Sequence, residues 1–263
     1  MKIVDCINQV PAPDLWIKLT ADEKGIDFSD LTYVVNPYDE FAVEEALRIK
    51  EKNTGSNVLV VSMGTAKTID AIRSCLALGA DDAVHLKDDL FEGADANTTA
   101  FLLGEAIKKR GFDLILCGKQ AVDDDNASVG IMLAEILNIP HIAVITKLEI
   151  SADGKSAVAH REIEGAVEVI ECPLPAVFTC QKGLNEPRYA SLTNVMKAKK
   201  KPVEEIDKVK LAIADTSFSA KESSKAKVIK YSRPPKRSAG KIIPSENKEV
   251  AIQELIKVLT PII

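Results

Sequence analysis

The chain has 263 residues and a mass of 28.5 kDa, with 46% apolar and 28% charged residues, which excludes a disordered chain or a fibre. Five dispersed cysteines without CxxC spacing exclude a disulfide scaffold and a Cys-based zinc site, and three histidines (His85, His141, His160) leave little for a His-rich metal site. The net charge of −5 conceals an asymmetry: residues 197–241 carry fourteen Lys or Arg against five Asp or Glu, a net of +9, which leaves −14 for the rest. An acidic body with a basic tail points to an acidic partner surface or to nucleic acid, with a solvated linker as the plainer reading.

The length fits one large domain or one domain with an appendage. Residues 1–10 lack the apolar core and small-residue cleavage site of an export signal and read as a first strand, so a cytoplasmic or organelle-matrix location is expected. No apolar run approaches the 18–20 residues of a membrane span. Residues 2–8, 57–62, 82–86 and 113–117 are short continuous apolar runs, the pattern of strands buried on both faces of a parallel sheet. Between them, residues 39–52, 65–78, 96–109 and 128–137 carry apolar stripes at helical spacing, with Gly79 as a stop signal after the second. This alternation predicts a doubly wound α/β fold on a mostly parallel sheet. After Pro140 the rhythm changes. Residues 142–150, 156–163, 166–172 and 176–180 read as strands without intervening helices, with a turn at Asp153-Gly154, and are expected to extend the sheet antiparallel. Residues 183–196 show neither period. Residues 197–244, rich in Lys, Ser and Pro, are too long for an internal loop and read as an arm that a partner surface orders. A helix over 248–259, with Ser245 as a plausible N-cap, closes the chain.

In a parallel sheet, ligands sit at the carboxyl ends of the strands, where the strand order reverses. Two loops therefore stand out: Met63-Gly64-Thr65, and Gly118-Lys119-Gln120-Ala121-Val122-Asp123-Asp124-Asp125-Asn126-Ala127-Ser128-Val129-Gly130. In the second, Gly118 permits close backbone approach, and the free N–H groups of a helix starting at Val129-Gly130 would favour a phosphate. The three aspartates would repel a phosphate unless turned towards ribose hydroxyls or a cap, and could instead hold Mg²⁺. A capped helix with a solvated acidic turn is the third reading. No GxGxxG or GxxxxGK[ST] is present, and no Ser/His/Asp or Cys/His grouping indicates a nucleophile.

The chain resembles a family over nearly its whole length: the small (beta) subunit of electron-transfer flavoproteins. The residues that carry the likeness are Asn36-Pro37-Tyr38-Asp39-Glu40 with Ala42-Val43-Glu44-Glu45-Ala46, then Val61-Ser62-Met63-Gly64, Leu78-Gly79-Ala80-Asp81 and Gly118 to Asp125. The most specific stretch is Leu184-Asn185-Glu186-Pro187-Arg188-Tyr189-Ala190-Ser191-Leu192, followed by Met196-Lys197-Ala198-Lys199-Lys200-Lys201-Pro202.

The resemblance implies a heterodimer with an alpha subunit that makes most contacts to a redox-active FAD, while this subunit adds one wall and buries an AMP without redox role. By position, nucleotide contacts would fall on Cys6, Asn36, Pro37, Asp39, Met63, Gly64 and the 118–130 loop, with Tyr38 near the flavin. Arg188, Tyr189, Leu192, Met196, Lys197 and Lys200 would dock partner dehydrogenases, Leu192 as the apolar anchor and the lysines as a steering flank. The implied organisation is a nucleotide-binding domain over 1–185, a recognition loop over 186–201, and an arm with a helix over 202–263 that packs on the alpha subunit. The implied role is an electron carrier rather than an enzyme, taking electrons from acyl-CoA or related dehydrogenases and passing them to a quinone-linked oxidoreductase. The rival within the family is a bifurcating beta subunit with a second FAD and NADH oxidation. Such relatives often carry Asp-Gly-Asp-Thr where Asp123-Asp124-Asp125-Asn126 stands here, and lack the Ala-Lys-Lys-Lys run. A stand-alone nucleotide sensor is the rival outside it, and the long basic arm argues against that. The chain departs from the family in having Ser128 where Gln is frequent, Thr193 where Pro is common, and an unusual 11–16 stretch.

Overall fold

Valine-, isoleucine- and leucine-rich runs pair as strands here because helices cover both of their faces. The computed structural model describes residues 1–22, 25–215, 217–235, 239–240, 242–243 and 247–260. In chain order its elements begin with β1 (Lys2–Cys6), β2 (Gln9–Pro11), β3 (Tyr33–Val35), α1 (Pro37–Lys52), β4 (Asn57–Met63), α2 (Ile69–Leu78) and β5 (Asp82–Leu86). There follow α3 (Ala96–Lys108), β6 (Leu114–Gly118), α4 (Val129–Leu137), β7 (His141–Ile150), β8 (Ser156–Ile163), β9 (Ala166–Pro173) and β10 (Ala176–Cys180). The last are α5 (Leu192–Ala198), β11 (Glu204–Ile206), α6 (Lys208–Leu211), α7 (Ala220–Ser223) and α8 (Lys248–Leu259).

Among the described residues, nine strands form one sheet in the order β11-β5-β4-β1-β6-β10-β7-β8-β9, and β2 pairs with β3 separately. On one face Ile3, Val60, Leu116 and Phe178 pack against Ala42, Val43 and Ala46 of α1 and Ile72 and Cys75 of α2. On the other, Val4, Val61, Ile115 and Val177 pack against Leu102, Leu103 and Ile107 of α3 and Leu133 and Ala134 of α4. The α/β fold with a mostly parallel sheet is as the sequence predicts. The chain departs from β1 in both directions, to β4 on one side and β6 on the other, so the order reverses between β1 and β6.

Three expectations need correction. First, β10 does not extend the sheet antiparallel; it inserts between β6 and β7, parallel to both, so β7 too runs with the parallel strands, and within this sheet only the β7–β8 and β8–β9 pairings are antiparallel. All five of its residues are buried, whereas β8 and β9 have exposed positions along their length. That continuous burial is what a parallel central strand requires. Val144 of β7 lies within the register shift against β10, takes φ 63° and donates its N–H to Thr179 Oγ1 at 2.8 Å, as at a bulge that redirects a strand.

Second, residues 192–198 form a helix, α5, capped by Ser191, whose hydroxyl accepts from Asn194 N. Its periodicity is hidden because Leu192 and Met196 point outward while Ala198 alone is fully buried. Third, much of the 197–244 stretch is part of the body and not an arm. Strand β11 joins the sheet edge beside β5, and Ile206, Leu211, Phe218 and Ala220 enter the core. Asp95, the N-cap of α3, accepts from Lys225 N and Ala226 N, while Ser224 Oγ accepts from Asp95 N. Residues 227–235 carry no regular structure and are largely exposed. Helix α8 is capped by Asn247, and none of its residues is buried; Ser245, the expected cap, lies outside the described residues.

Candidate functional site

A cleft of about 280 Å³ opens at the carboxyl ends of β1 and β6, where the strand order reverses. Its floor is Cys6, Ile7 and Asn8 after β1 and Cys117 and Gly118 ending β6. Its walls are Lys119, Gln120, Ala121, Asp124 and residues 126–130 on one side and Met63, Ala94, Ala96 and Thr99 on the other.

Two buried side chains from the start of α1 build the floor. Asp39 accepts the N–H of Asn8 at 2.6 Å on one carboxylate oxygen and that of Gly118 at 2.9 Å on the other. Asn36 accepts from Val122 N at 3.1 Å and donates to Gln120 O at 2.9 Å. The carboxyl ends of β1 and β6, and the loop leaving β6, are thus tied to one helix start. Burial pushes the Asp39 carboxyl up to about 7, against the pull of the Asn8, Asn36 and Gly118 donors. Gly118 is required sterically: a Cβ there would lie 2.8 Å from the backbones of Tyr38 and Asp39. Gly130 is required too, since a Cβ would lie 2.5 Å from Cys117 Sγ and 2.9 Å from Thr179 Cγ2, so α4 could not seat on the sheet.

The loop enters α4 through two left-handed residues, Asp125 at φ 50° and Ala127 at φ 51°. Ser128 follows in right-handed geometry, an arrangement that aims successive N–H groups into one concavity. Its hydroxyl is spent on Asn126 (O at 2.7 Å, Oδ1 at 3.1 Å), so no side chain caps α4. The first turn of α4, with Val129 and Gly130 lining the cleft, therefore has no side-chain cap for its N–H groups, and the helix dipole adds positive potential there. The aspartates are used within the loop: Asp124 accepts from Asn126 N at 3.0 Å and Asp125 from Gln120 Nε2 at 2.5 Å. Among the described residues no three His, Cys, Asp or Glu groups converge as metal ligands.

Of the nucleotide-site residues expected from sequence, Cys6, Asn36, Asp39, Met63, Gly118, Lys119, Gln120, Ala121, Asp124, Asn126, Ala127, Ser128, Val129 and Gly130 line the cleft. Val122, Asp123 and Asp125 belong to the same loop but stand outside its lining, as does Pro37. Gly64 lines a neighbouring hollow after β4 with Thr65, Lys87 and Phe91. Tyr38 carries Lys119 Nζ 4.8 Å from its ring centroid, a cation–π contact. Sequence reasoning missed Asn8 and the Ala94–Thr99 wall. Asn8 lies two residues past the buried strand β1 and was findable by position, whereas residues 94–99 reach the cleft only through the packing of α3. Cys6 and Cys117 are buried, and burial pushes both thiols up, so neither is a ready nucleophile.

The segment 188–200, expected to dock partners, has a different character. Tyr189 is 98% exposed, Leu192 80% and Met196 54%, and Lys197 and Lys200 are solvent-facing. Arg188 is turned inward onto Glu44 and Glu51 of α1. Leu192 is therefore not packed on its own domain. Among the described residues no helix is long and apolar enough to cross a membrane.

Residues 25–211 match the family described as Electron transfer flavoprotein domain. The chain is 41% identical to the electron transfer flavoprotein subunit beta of Bacillus subtilis over 245 residues, 92% of this chain and 91% of that one. It is 37% identical to the subunit of the same name from Dictyostelium discoideum over 257 residues, 98% of each chain. It is 35% identical to the caffeyl-CoA reductase–Etf complex subunit CarD of Acetobacterium woodii over 244 residues, 92% of each chain.

Proposed function

Because this chain belongs to the electron transfer flavoprotein family, as a beta subunit, we propose that it is the non-catalytic half of a two-subunit electron carrier that holds AMP in the cleft between β1 and β6. The observation that carries the reading is the uncapped start of α4, reached through the left-handed pair Asp125 and Ala127 and facing a cleft of about 280 Å³. That volume stands at the small end of ligand pockets, roughly 300 Å³ and upward, which favours a mononucleotide over a dinucleotide. The α4 N–H groups would take the phosphate, the floor would take the base, and Asn36 and Asp39 would act by holding the loop.

With the alpha subunit, this chain would complete the site of an FAD that supplies the one- and two-electron chemistry. Tyr38 would present its ring on that side. Helix α8 would pack on the alpha subunit: Ile252, Leu255, Ile256 and Leu259 recur at helical spacing and are all exposed. Leu192, flanked by Tyr189 and Met196, would enter a pocket of an acyl-CoA or related dehydrogenase, and a quinone-linked oxidoreductase would take the electrons onward. A lone apolar anchor with a basic flank suits a weak, quickly exchanging complex. The match to a subunit of a reductase–Etf complex supports a second reading, a bifurcating beta subunit with a second FAD in the cleft and NADH oxidation.

The test is kinetic. In the purified heterodimer, Leu192→Ala should lower the rate of flavin reduction by an acyl-CoA dehydrogenase about tenfold or more, as expected for a hot-spot residue. The flavin absorption spectrum should not change. An unchanged rate would remove the anchor role.

A further inference from the structure

The segment that carries Leu192 is held at both ends. On one side Arg188 donates from Nε to Glu44 at 2.7 Å, from Nη2 to Glu44 at 3.1 Å, and from Nη1 and Nη2 to Glu51 at 2.5 and 3.2 Å. Its backbone N–H also reaches Glu44 at 3.3 Å. Four of the five N–H donors of the guanidinium are thereby engaged within this chain, leaving little for any partner. Glu44 is almost wholly buried, at 4% side-chain exposure, and also accepts from Arg48 at 2.7 Å. Asn185 adds two bonds to α1, to Phe41 O and Glu45, each at 2.9 Å. On the other side, Arg73 of α2 donates to Ala198 O at the end of α5, and Lys201 donates to Ala80 O, both at 2.6 Å. Between these pins Tyr189, Leu192 and Met196 face outward.

We propose that Arg188 is a positioning residue: a clamp that fixes the Leu192 segment to α1 in the geometry a partner dehydrogenase meets, and not a contact residue for that partner. The inference rests on the docking reading above and departs from the sequence expectation that Arg188 itself docks. A short exposed apolar segment left loose would have to be ordered on each encounter, whereas a pinned one meets its partner already shaped. Arginine suits the task because its planar fork can bond two carboxylates at once, which a lysine ammonium cannot do with the same fixed geometry. Burial pushes the Glu44 carboxyl up, and the Arg188 and Arg48 donors outweigh that and hold it below its ordinary value. The clamp is therefore ionised at neutral pH.

The test uses the intact heterodimer and an acyl-CoA dehydrogenase reduced by its acyl-CoA substrate, with Leu192→Ala as the comparator. Arg188→Gln should raise the apparent KM for the flavoprotein about tenfold while kcat stays within about twofold, since ordering has moved into the encounter. Arg188→Lys should recover part of that loss, and Glu51→Gln, at the exposed end of the clamp, should raise KM about two- to threefold. Without any dehydrogenase present, amide exchange over residues 189–198 should accelerate in Arg188→Gln, with flavin spectrum and nucleotide content unchanged. Unaltered exchange in that variant would overturn the clamp. So would an unaltered KM where Leu192→Ala raises it, or an altered flavin spectrum. If Leu192→Ala leaves KM unchanged, the docking reading fails instead, and the exchange rates still decide the clamp. Should Arg188→Gln not assemble, the same exchange and KM measurements on Glu51→Gln decide it.

Discussion

Helix α1 fixes two loops by opposite means. At its first turn Asn36 and Asp39, both buried, bond backbone groups of the 118–122 stretch and of Asn8. One to three turns further on, the buried Glu44 and Glu45 and the exposed Glu51 bond the side chains of Asn185 and Arg188. Backbone-directed staples in the interior set a fixed cleft and tolerate little change, because each lost partner leaves a buried donor without an acceptor. The charged clamp runs from the buried Glu44 to the exposed Glu51, and its exposed end holds the segment at lower cost when lost and is the part that salt loosens.

The largest effect should follow from Asp39→Ala. Two backbone N–H groups would lose their acceptor, at about 1–3 kcal/mol each. The heterodimer should be destabilised in denaturant titrations and should retain less adenine nucleotide. An intact cleft in that variant would break the contrast. Gly130→Ala should cost about 1–3 kcal/mol through overpacking of α4 against Cys117 and Thr179. Its effect should be global unfolding at lower denaturant, unlike the local loosening expected at Arg188.

Asp95→Ala removes a cap and the acceptor for Lys225 N and Ala226 N, and should cost about 1 kcal/mol. Amide exchange should accelerate at 225–226 and in the first turn of α3 while the cleft stays protected.

The two anchors on α1 should also respond to pH in opposite senses. Asp39 is raised from 3.8 to about 7 in the folded chain, so the folded state binds the extra proton across that window. Its stabilising contribution is full below about pH 4 and is lost as pH rises to about 7. Glu44 is lowered, so its contribution is full above its ordinary value of 4.5 and is lost as pH falls below it. Stability measured from pH 7 down to 5 should therefore rise where Asp39→Asn shows no such rise, and exchange at 186–191 should accelerate only below about pH 4.5. The smallest effect is from salt: raising ionic strength from about 0.01 to 0.15 M should slow association with a dehydrogenase through screening of Lys197, Lys199 and Lys200, and leave nucleotide content unchanged.

The body of the fold was legible because burial on two faces writes itself as continuous apolar runs and helical stripes, as in 57–62 and 96–109. The insertion of β10 was not inferred, although its unbroken burial set it apart from the alternating β8 beside it. In α5 and β11, one buried residue each anchors the element, too little to generate a period. Most of the cleft was legible because strand ends at a reversal of order and a glycine-led helix start are local features. Its far wall at 94–99 depends on how α3 packs, and the inward turn of Arg188 depends on carboxylates 137 and 144 positions away.

The nucleotide content of the purified heterodimer bears most directly on the central proposal. Extraction should yield one AMP and one FAD per pair of subunits. Two FAD, or FAD with no adenine mononucleotide, would contradict it.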